Sequence, residues 1–129
     1  MVPAKQPKVL VAEDDALIAM SLHEVLSDLG MEVVGVAASV RDALQLAQNT
    51  RPDLAIFDVC LRGKRDGIEG ARLLKGFLDI PVVFLTGQSD QRTRDRALAV
   101  KPAAYLCKPA GPQEIMAAMD KALGRRRVS

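Results

Sequence analysis

The segment Asp53-Leu-Ala-Ile-Phe-Asp58-Val-Cys60 combines a nearly continuous apolar run with a carboxylate at its end. The run 54–57 follows a proline and precedes a basic segment that contains glycine, a pattern typical of a short strand buried on both faces. Asp58 then lies where the strand gives way to a loop. In an open parallel sheet this point is the carboxyl edge, where such sheets bind ligands. A single aspartate there can equally open a turn or cap a backbone N–H, so its role depends on residues elsewhere in the chain.

Length and composition indicate one domain with an aliphatic core. The chain has 129 residues, of which 49% are hydrophobic and 26% charged, and its only aromatics are three Phe and one Tyr. The formal charge of +2 is too weak to indicate nucleic acid as the main partner. No apolar stretch approaches the roughly 20 residues of a membrane span, and the N-terminus lacks the apolar segment of a signal peptide. We therefore expect a cytoplasmic protein without a membrane partner.

Apolar runs alternate with amphipathic segments along the whole chain. The predicted strands are 8–12, 32–36, 54–57, 81–85 and 103–107. The predicted helices are 16–29, one capped by Ser39 and broken at 49–52, then 67–78, 89–100 and a last one opened by Pro112. Because right-handed crossovers place helices on both sides of a parallel sheet, we predict an α/β fold. Its core is a single doubly wound five-stranded parallel sheet with helices on both faces.

Three of these helices carry more detailed expectations. Gly30 should end the first helix as a left-handed cap, and Asp66 should cap the third. The apolar stripe of the third helix is predicted to face inward and consists of Ile68, Ala71, Leu74 and Phe77. The fourth helix is rich in charge, so we expect it to be loosely held. Its apolar side is narrow and is formed by Ala97, Leu98 and Val100.

Polar residues follow four of the predicted strands and therefore fall on one edge of the sheet. They are Glu13-Asp14-Asp15 after the first strand, Asp58 after the third, Thr86 after the fourth and Lys108-Pro109 after the fifth. Singly, each has a structural explanation, such as Asp15 capping the first helix. Together, carboxylates clustered at a buried edge repel one another unless a positive charge neutralises them. A hard divalent cation with oxygen ligands meets this need, and we predict Mg²⁺.

Four segments, in order and with matching spacing, resemble the signature of the receiver domain of two-component response regulators. They are VLVAEDD at 9–15, PDLAIFD at 52–58, VFLTG at 83–87 and YLCKP at 105–109. The resemblance covers residues 8–123 and implies a flavodoxin-like (βα)5 fold, with 1–7 and 124–129 expected to be flexible tails. Because no output domain follows in the sequence, the chain is similar to a stand-alone receiver of the chemotaxis-regulator type.

The resemblance implies a role for each clustered residue. Asp58 accepts a phosphoryl group; Glu13, Asp14, Asp58 and the Cys60 backbone carbonyl hold Mg²⁺; Thr86 and Lys108 contact the phosphoryl oxygens; Tyr105 and Thr86 form the switch. The implied donor is a sensor histidine kinase or a histidine phosphotransfer protein, and phosphorylation alters binding to an unknown protein target. The protein then promotes only its own phosphorylation and dephosphorylation and is not an enzyme. The fourth helix, fifth strand and fifth helix are the implied output surface and a route to a homodimer.

The chain departs from the family pattern beside the site. Arg62 stands where a proline is common, within the basic stretch 62–65, so the loop after the acceptor is expected to have a different shape. Gly87 replaces a more common alanine, which should loosen that turn. Cys60 and Gln88 occupy the positions at which family members tune loss of the phosphoryl group. Neither is a strong general base, so we expect a phosphorylated state that is not unusually short-lived. Phosphate release within seconds would contradict this.

Three other functions share parts of the pattern. An aspartyl-phosphate phosphatase needs a second carboxylate two residues after the nucleophile as general acid, and here that residue is Cys60. A nucleotide binder of the same architecture needs a glycine-rich first loop to hold phosphate, whereas Glu13-Asp14-Asp15 repels anions. A protein-interaction module that is never phosphorylated stays open as an alternative. The presence of the site residues shows that phosphorylation is possible, but it does not show that phosphorylation occurs.

The single histidine and the two cysteines are not expected to take part in the chemistry. His23 lies in the middle of the first helix, and we interpret it as an ordinary surface or boundary residue and not as a phosphodonor. Cys60 and Cys107 lack metal-ligand spacing, and they end strands that are not expected to be neighbours. We therefore predict thiols and no disulfide.

Overall fold

The computed structural model describes residues 6–61, 66–87 and 90–124, in which strands and helices alternate. The strands are β1 (Lys8–Ala12), β2 (Glu32–Ala37), β3 (Leu54–Phe57), β4 (Val82–Thr86) and β5 (Ala104–Cys107). The helices are α1 (Ala16–Asp28), α2 (Val40–Thr50), α3 (Gly67–Phe77), α4 (Gln91–Ala99) and α5 (Pro112–Ala122). All strand pairs are parallel in the order β2-β1-β3-β4-β5, which confirms the predicted fold. Most of the predicted tails, residues 1–5 and 125–129, lies outside the described residues. Within the described ranges, no helix has the length and apolar character needed to cross a membrane.

Each face of the sheet packs a separate core, because successive residues of a strand point to opposite faces. Val9 and Val11 of β1 pack on the α1 and α5 side, where Leu26 and Met119 are also buried. Leu10, between them, packs on the opposite side with residues of α2 and α3. All residues of the central strand β3 are buried, as its apolar run predicts. Asp58 therefore leaves the middle of the sheet from a strand that is covered on both faces.

Side chains at the helix starts accept hydrogen bonds from N–H groups that have no partner within the helix. The capping residues of α1 to α4 are Asp15, Ser39, Asp66 and Asp90. Pro112 opens α5, and Gly30 follows α1 with a φ of 85°, both as predicted. The local signals in the sequence thus fix where most helices begin and end.

The length of α2 differs from the prediction. Asn49 and Thr50, expected to break the helix, belong to it. Thr50 Oγ1 donates to Leu46 O at 2.7 Å, and Arg51 then ends the helix with a φ of 46°. α4 begins at Gln91, two residues later than predicted, and ends at Ala99. The other bounds given above differ from the prediction by at most one residue.

The prediction that Phe77 faces inward is wrong. Leu74 is fully buried, whereas Phe77, the last residue of α3, is 44% exposed. Leu78 and Ile80, in the connection to β4, pack against the core at this end of the helix. The helical stripe therefore ends one turn earlier than its sequence suggests, because the chain after the helix supplies the apolar groups.

This difference predicts unequal effects of two truncations in one helix. Leu74→Ala should lower the free energy of unfolding by about 3–5 kcal/mol, because it leaves a cavity in the core. Phe77→Ala, the matched control, should cost under about 1 kcal/mol, because much of that side chain already contacts water. Urea denaturation followed by far-UV circular dichroism measures both. Equal losses would contradict the burial of α3 described here.

α4 is attached to the domain more by polar contacts than by apolar burial. Ala97 is the buried residue of this helix, and Leu98, expected to face inward, is 47% exposed. The apolar side of α4 is therefore narrower than predicted, because Leu98 does not contribute to it. Lys75 Nζ of α3 donates to Val100 O at 2.9 Å and to Lys101 O at 3.0 Å, immediately after α4. A cation of α3 therefore caps the carbonyl end of α4.

An ion pair between Arg96 and Asp66 joins α4 to the N-terminus of α3. Arg96 Nη2 lies 2.6 Å from Asp66 Oδ2, while Asp66 Oδ1 accepts from Glu69 N at 2.9 Å. Partial burial by itself would raise the pKa of Asp66, but the Arg96 guanidinium and the backbone N–H hold that pKa below its ordinary value. Both side chains still contact solvent, so the pair fixes an orientation more than it adds stability.

Candidate functional site

The sheet brings the residues predicted for the site to one edge. Glu13 follows β1, Asp58 follows β3, Thr86 ends β4 and Lys108 follows β5. Asp58 N donates to Ala12 O at 2.9 Å and Lys108 N donates to Thr86 O at 2.9 Å, which fixes the exits of adjacent strands. Within the described part of the chain, the buried polar side chains are Glu13, Asp58 and Thr86. All of them lie at this edge, so polar burial is concentrated where the site was predicted.

Lys108 connects the two buried carboxylates. Its Nζ lies 2.6 Å from Asp58 Oδ2 and 2.6 Å from Glu13 Oε1. The other oxygen of each carboxylate accepts a backbone N–H: Asp58 Oδ1 from Cys60 N at 3.1 Å, and Glu13 Oε2 from Asp15 N at 3.1 Å. Each carboxylate is therefore oriented by the loop that follows its own strand and by one shared ammonium group.

Burial and ion pairing act in opposite directions on the charges of this pocket. Burial lowers the pKa of Lys108, but its hydrogen bonds to Asp58 and Glu13 outweigh this effect and place the pKa above its ordinary value. For Glu13, burial raises the pKa more than the bonds from Lys108 and the Asp15 N–H lower it, so this pKa also lies above its ordinary value. The pocket thus favours positive charge and opposes part of its own negative charge.

Glu13, Asp14 and Asp58 form a carboxylate cluster that suits a hard cation. Each offers one oxygen, and these oxygens lie within 4.8 Å of one another. When ionised, the three carry a charge of −3 and Lys108 contributes +1, which leaves −2. A divalent cation balances this charge, and oxygen donors are those that Mg²⁺ prefers. Asp14 is half-buried, so the cluster is open to solvent on one side. The donor set therefore fits the predicted metal.

Thr86 and Tyr105 lie on neighbouring strands. In the pairing of β4 with β5, Phe84 lies opposite Tyr105, and Thr86 opposite Cys107. The half-buried Tyr105 ring is tilted by 59° against Phe84, with 6.4 Å between ring centroids. Burial raises the pKa of Tyr105, and the Arg94 Cζ of α4 lies over the ring, 5.6 Å from its centroid. The tyrosine thus touches both β4, which carries Thr86, and α4.

Sequence reasoning missed Arg94. The contact is a cation–π interaction, in which a guanidinium is attracted to the face of an aromatic ring. Arg94 belongs to the charged side of a helix, and nothing in its spacing distinguishes it from Arg92. Only the placement of α4 against β5 reveals the contact.

The remaining residues singled out in the sequence lie at the margin of the site or outside the described chain. His23 is exposed, which agrees with its interpretation as a surface or boundary residue. Cys60 and Cys107 have exposed side chains and are not joined by a disulfide, and β4 separates their strands as predicted. The expectations for Arg62 and its basic stretch, and for Gln88, fall on residues outside the described ranges.

The raised pKa of Glu13 predicts a pH dependence in metal-free protein. Between pH 4.5 and the raised value, the folded state binds more protons at Glu13 than the unfolded state, so this group lowers stability as pH rises. Glu13→Gln removes that contribution. In EDTA, the free energy of unfolding of Glu13→Gln, relative to that of wild type, should therefore increase with rising pH across this window. Urea denaturation at a series of pH values tests this, with the exposed Glu24→Gln as control. If the difference in free energy of unfolding between Glu13→Gln and wild type does not change with pH, this prediction is wrong.

Comparison with known proteins agrees with these observations. Residues 9–120 match the family of the response regulator receiver domain. The transcriptional regulatory protein PdtaR of Mycobacterium tuberculosis is 39% identical over 93% of this chain. The match covers 58% of that protein, so this chain spans a little over half the length of this relative. The phyllosphere-induced regulator PhyR of Methylorubrum extorquens is 31% identical over 90% of this chain and 43% of its own length.

Solved structures show the same fold. The signal receiver domain of a modulated diguanylate cyclase from Desulfovibrio desulfuricans superposes with a TM-score of 0.87 at 35% identity, covering 92% of this chain and 94% of its own. The BeF3-activated N-terminal receiver domain of Klebsiella pneumoniae RstA gives a TM-score of 0.83 at 27% identity, covering 90% of this chain and 97% of its own. Both superpositions extend over nearly all of the alternating strands and helices.

Proposed function

Because the chain belongs to the family of response regulator receiver domains, we propose that it is a phosphoryl-accepting switch with Asp58 as acceptor. The donor is a phosphohistidine on a sensor histidine kinase or a histidine phosphotransfer protein. The output is a change in the binding of a protein target. The protein promotes only its own phosphorylation and dephosphorylation.

One observation carries this proposal: Lys108 Nζ lies 2.6 Å from Asp58 Oδ2 inside a pocket that also contains Glu13 and Asp14. A structural ion pair needs one carboxylate for one ammonium. Here three carboxylates lie together, and one lysine pairs with the two of them that are buried. Such an excess of negative charge opposes folding unless a bound cation neutralises it, and charged groups held together at this cost are typical of functional sites.

The chemistry follows from the placement of these groups. An Asp58 carboxylate oxygen attacks phosphorus in line, the P–N bond to the donor imidazole breaks, and the imidazole leaves with that electron pair. Glu13, Asp14, Asp58 and the Cys60 carbonyl would hold Mg²⁺, and the bound ion would neutralise charge on the phosphoryl oxygens. Lys108 exchanges its bond to Asp58 for one to a phosphoryl oxygen. The Thr86 hydroxyl donates a hydrogen bond to another phosphoryl oxygen.

The switch uses the contacts of Tyr105. Movement of Thr86 toward the phosphoryl group changes the space beside Tyr105 on the adjacent strand. Tyr105 is packed on Phe84 and covered by Arg94, so a change in its orientation alters the contact with α4. Phosphorylation shifts a population between two arrangements of this surface. α4, β5 and α5 are then the output face, and a homodimer through this face stays a prediction.

A recess beside Lys108 is suited to the docking of the donor. It has a volume of about 210 Å³ between α1 and α5, and its lining includes Ile18, Leu22 and Pro109. An apolar side chain of the donor that enters this recess would place its histidine beside the acidic pocket.

Phosphorylation by a small-molecule donor tests the proposal. Acetyl phosphate with Mg²⁺ should form an acyl phosphate, which mass spectrometry of the borohydride-reduced protein places at residue 58. EDTA should abolish the reaction. In parallel, amide shifts with Mg²⁺ and beryllofluoride should change at Asp58, Thr86 and Tyr105 together. Absence of both the covalent product and the shifts would overturn the proposal in favour of an interaction module that is never phosphorylated.

A further inference from the structure

We propose that Gly67 is a positioning residue, which holds the segment from Asp58 to Cys60 in the geometry needed for phosphorylation. The role rests on the function proposed above. Gly67 is the first residue of α3, and it is buried against the exit of β3. Its backbone N–H donates to Val59 O at 2.7 Å, a short bond to the residue that follows the acceptor.

The close approach is possible only without a side chain. A Cβ on Gly67 would overlap the Asp58 carbonyl oxygen, and it would lie 2.8 Å from the Asp58 carbonyl carbon and 3.1 Å from Val59 Cα. These neighbours are backbone atoms, which cannot rotate away as the end of a flexible side chain can. The φ of Gly67 is not in the left-handed region, so space and not conformational freedom requires glycine here.

The segment that Gly67 contacts carries two parts of the pocket. One is the Asp58 carboxylate, whose Oδ1 accepts from Cys60 N at 3.1 Å. The other is the Cys60 carbonyl assigned above to Mg²⁺. Since Gly67 touches the carbonyl of Asp58 and binds that of Val59, displacement of this segment moves the acceptor oxygens and the Cys60 carbonyl together. A misplacement of about 1 Å can cost on the order of 10²-fold in rate.

α3 offers two matched controls. A Cβ on Gly76 would meet no atom within 4 Å, so Gly76→Ala should fold at least as well as wild type and react normally. The atoms nearest to a Cβ on Gly70 would belong to side chains, at 2.9 Å for Val40 Cγ2 and 3.0 Å for Phe57 Cε2. Gly70→Ala should therefore lose stability and keep its phosphorylation rate. Gly70→Ala therefore distinguishes a rate loss caused by general destabilisation from one caused by displacement of the segment from Asp58 to Cys60.

The experiment compares the three variants with wild type under conditions where urea denaturation shows each to be folded. For Gly67→Ala, we expect the initial rate with acetyl phosphate and the Mg²⁺ affinity, from amide shifts, each to fall at least about tenfold. Gly70→Ala and Gly76→Ala should stay within about twofold of wild type. If Gly67→Ala reacts like these controls, the inference is wrong. If wild type itself is not phosphorylated, the proposed function fails, and the Mg²⁺ affinities still decide the role of Gly67.

A measurement on wild type decides the case in which Gly67→Ala does not fold. Hydrogen exchange of the Gly67 amide reports on its bond to Val59 O. We expect Mg²⁺ with beryllofluoride to order the segment from Asp58 to Cys60, so exchange of the Gly67 amide should slow by more than that of the Leu74 amide in the same helix. Equal slowing of the two amides would overturn the proposal.

Discussion

Replacement of Asp58 with asparagine should abolish formation of the acyl phosphate. Asparagine keeps the size of the side chain and removes the carboxylate oxygen that would bond to phosphorus, so no product is expected even after prolonged reaction. The loss should exceed about 10³-fold, since nucleophile substitutions remove a reacting atom and not only a binding contact. Mass spectrometry after incubation with acetyl phosphate and Mg²⁺ measures it.

Asp53→Asn is the matched control for this variant. Asp53 precedes β3, at the opposite end of the strand, and its Oδ2 accepts from Lys8 N at 2.8 Å. This variant should retain the phosphorylation rate of wild type. If the Asp58 variant still forms a base-labile phosphoryl product in the same amount, another residue is the acceptor and the assignment is wrong.

Lys108→Met should slow phosphorylation by about 10²–10³-fold. Methionine preserves much of the apolar stem but removes the ammonium that pairs with Asp58 and that would stabilise charge on the phosphoryl oxygens. The initial rate with acetyl phosphate at saturating Mg²⁺ measures this. The exposed Lys121→Met on α5 is the control and should react like wild type. A normal rate in Lys108→Met would show that the ammonium has only a structural role.

The same substitution should change how metal affects stability. Without Mg²⁺, Glu13 and Asp58 lose their shared cation, and we expect a loss of about 1–3 kcal/mol in the free energy of unfolding near neutral pH. Mg²⁺ should restore more stability to Lys108→Met than to wild type, because the ion no longer competes with the lysine for the carboxylates. Urea denaturation with Mg²⁺ or with EDTA tests both expectations. A smaller effect of Mg²⁺ on the variant would contradict the bridging geometry.

The fold was accessible from sequence because its signals are local. Apolar runs such as 54–57, the caps at Asp15 and Asp66 and the cap at Gly30 each depend on a few neighbouring residues. Parallel topology then places every strand exit on one edge, so the convergence of Glu13, Asp58 and Lys108 followed without any distance being known.

What the sequence did not reveal depends on how elements lie against each other. The exposure of Phe77 results from apolar residues that follow α3, which helical periodicity alone does not include. The contact of Arg94 with Tyr105 and the approach of Gly67 to Asp58 are set by the positions of α4 and α3 over the sheet. The pattern of charged residues and glycines within a single helix does not predict distances between that helix and other elements.

The polar attachment of α4 has an evolutionary consequence. The helix buries only Ala97 and is tied to its neighbours through Lys75 and Arg96. Most of its outward positions therefore contribute nothing to the core, and substitutions at such positions usually change stability by no more than about 0.5 kcal/mol. Substitutions on this face can therefore accumulate during evolution without disturbing the acidic pocket formed by Glu13, Asp14 and Asp58.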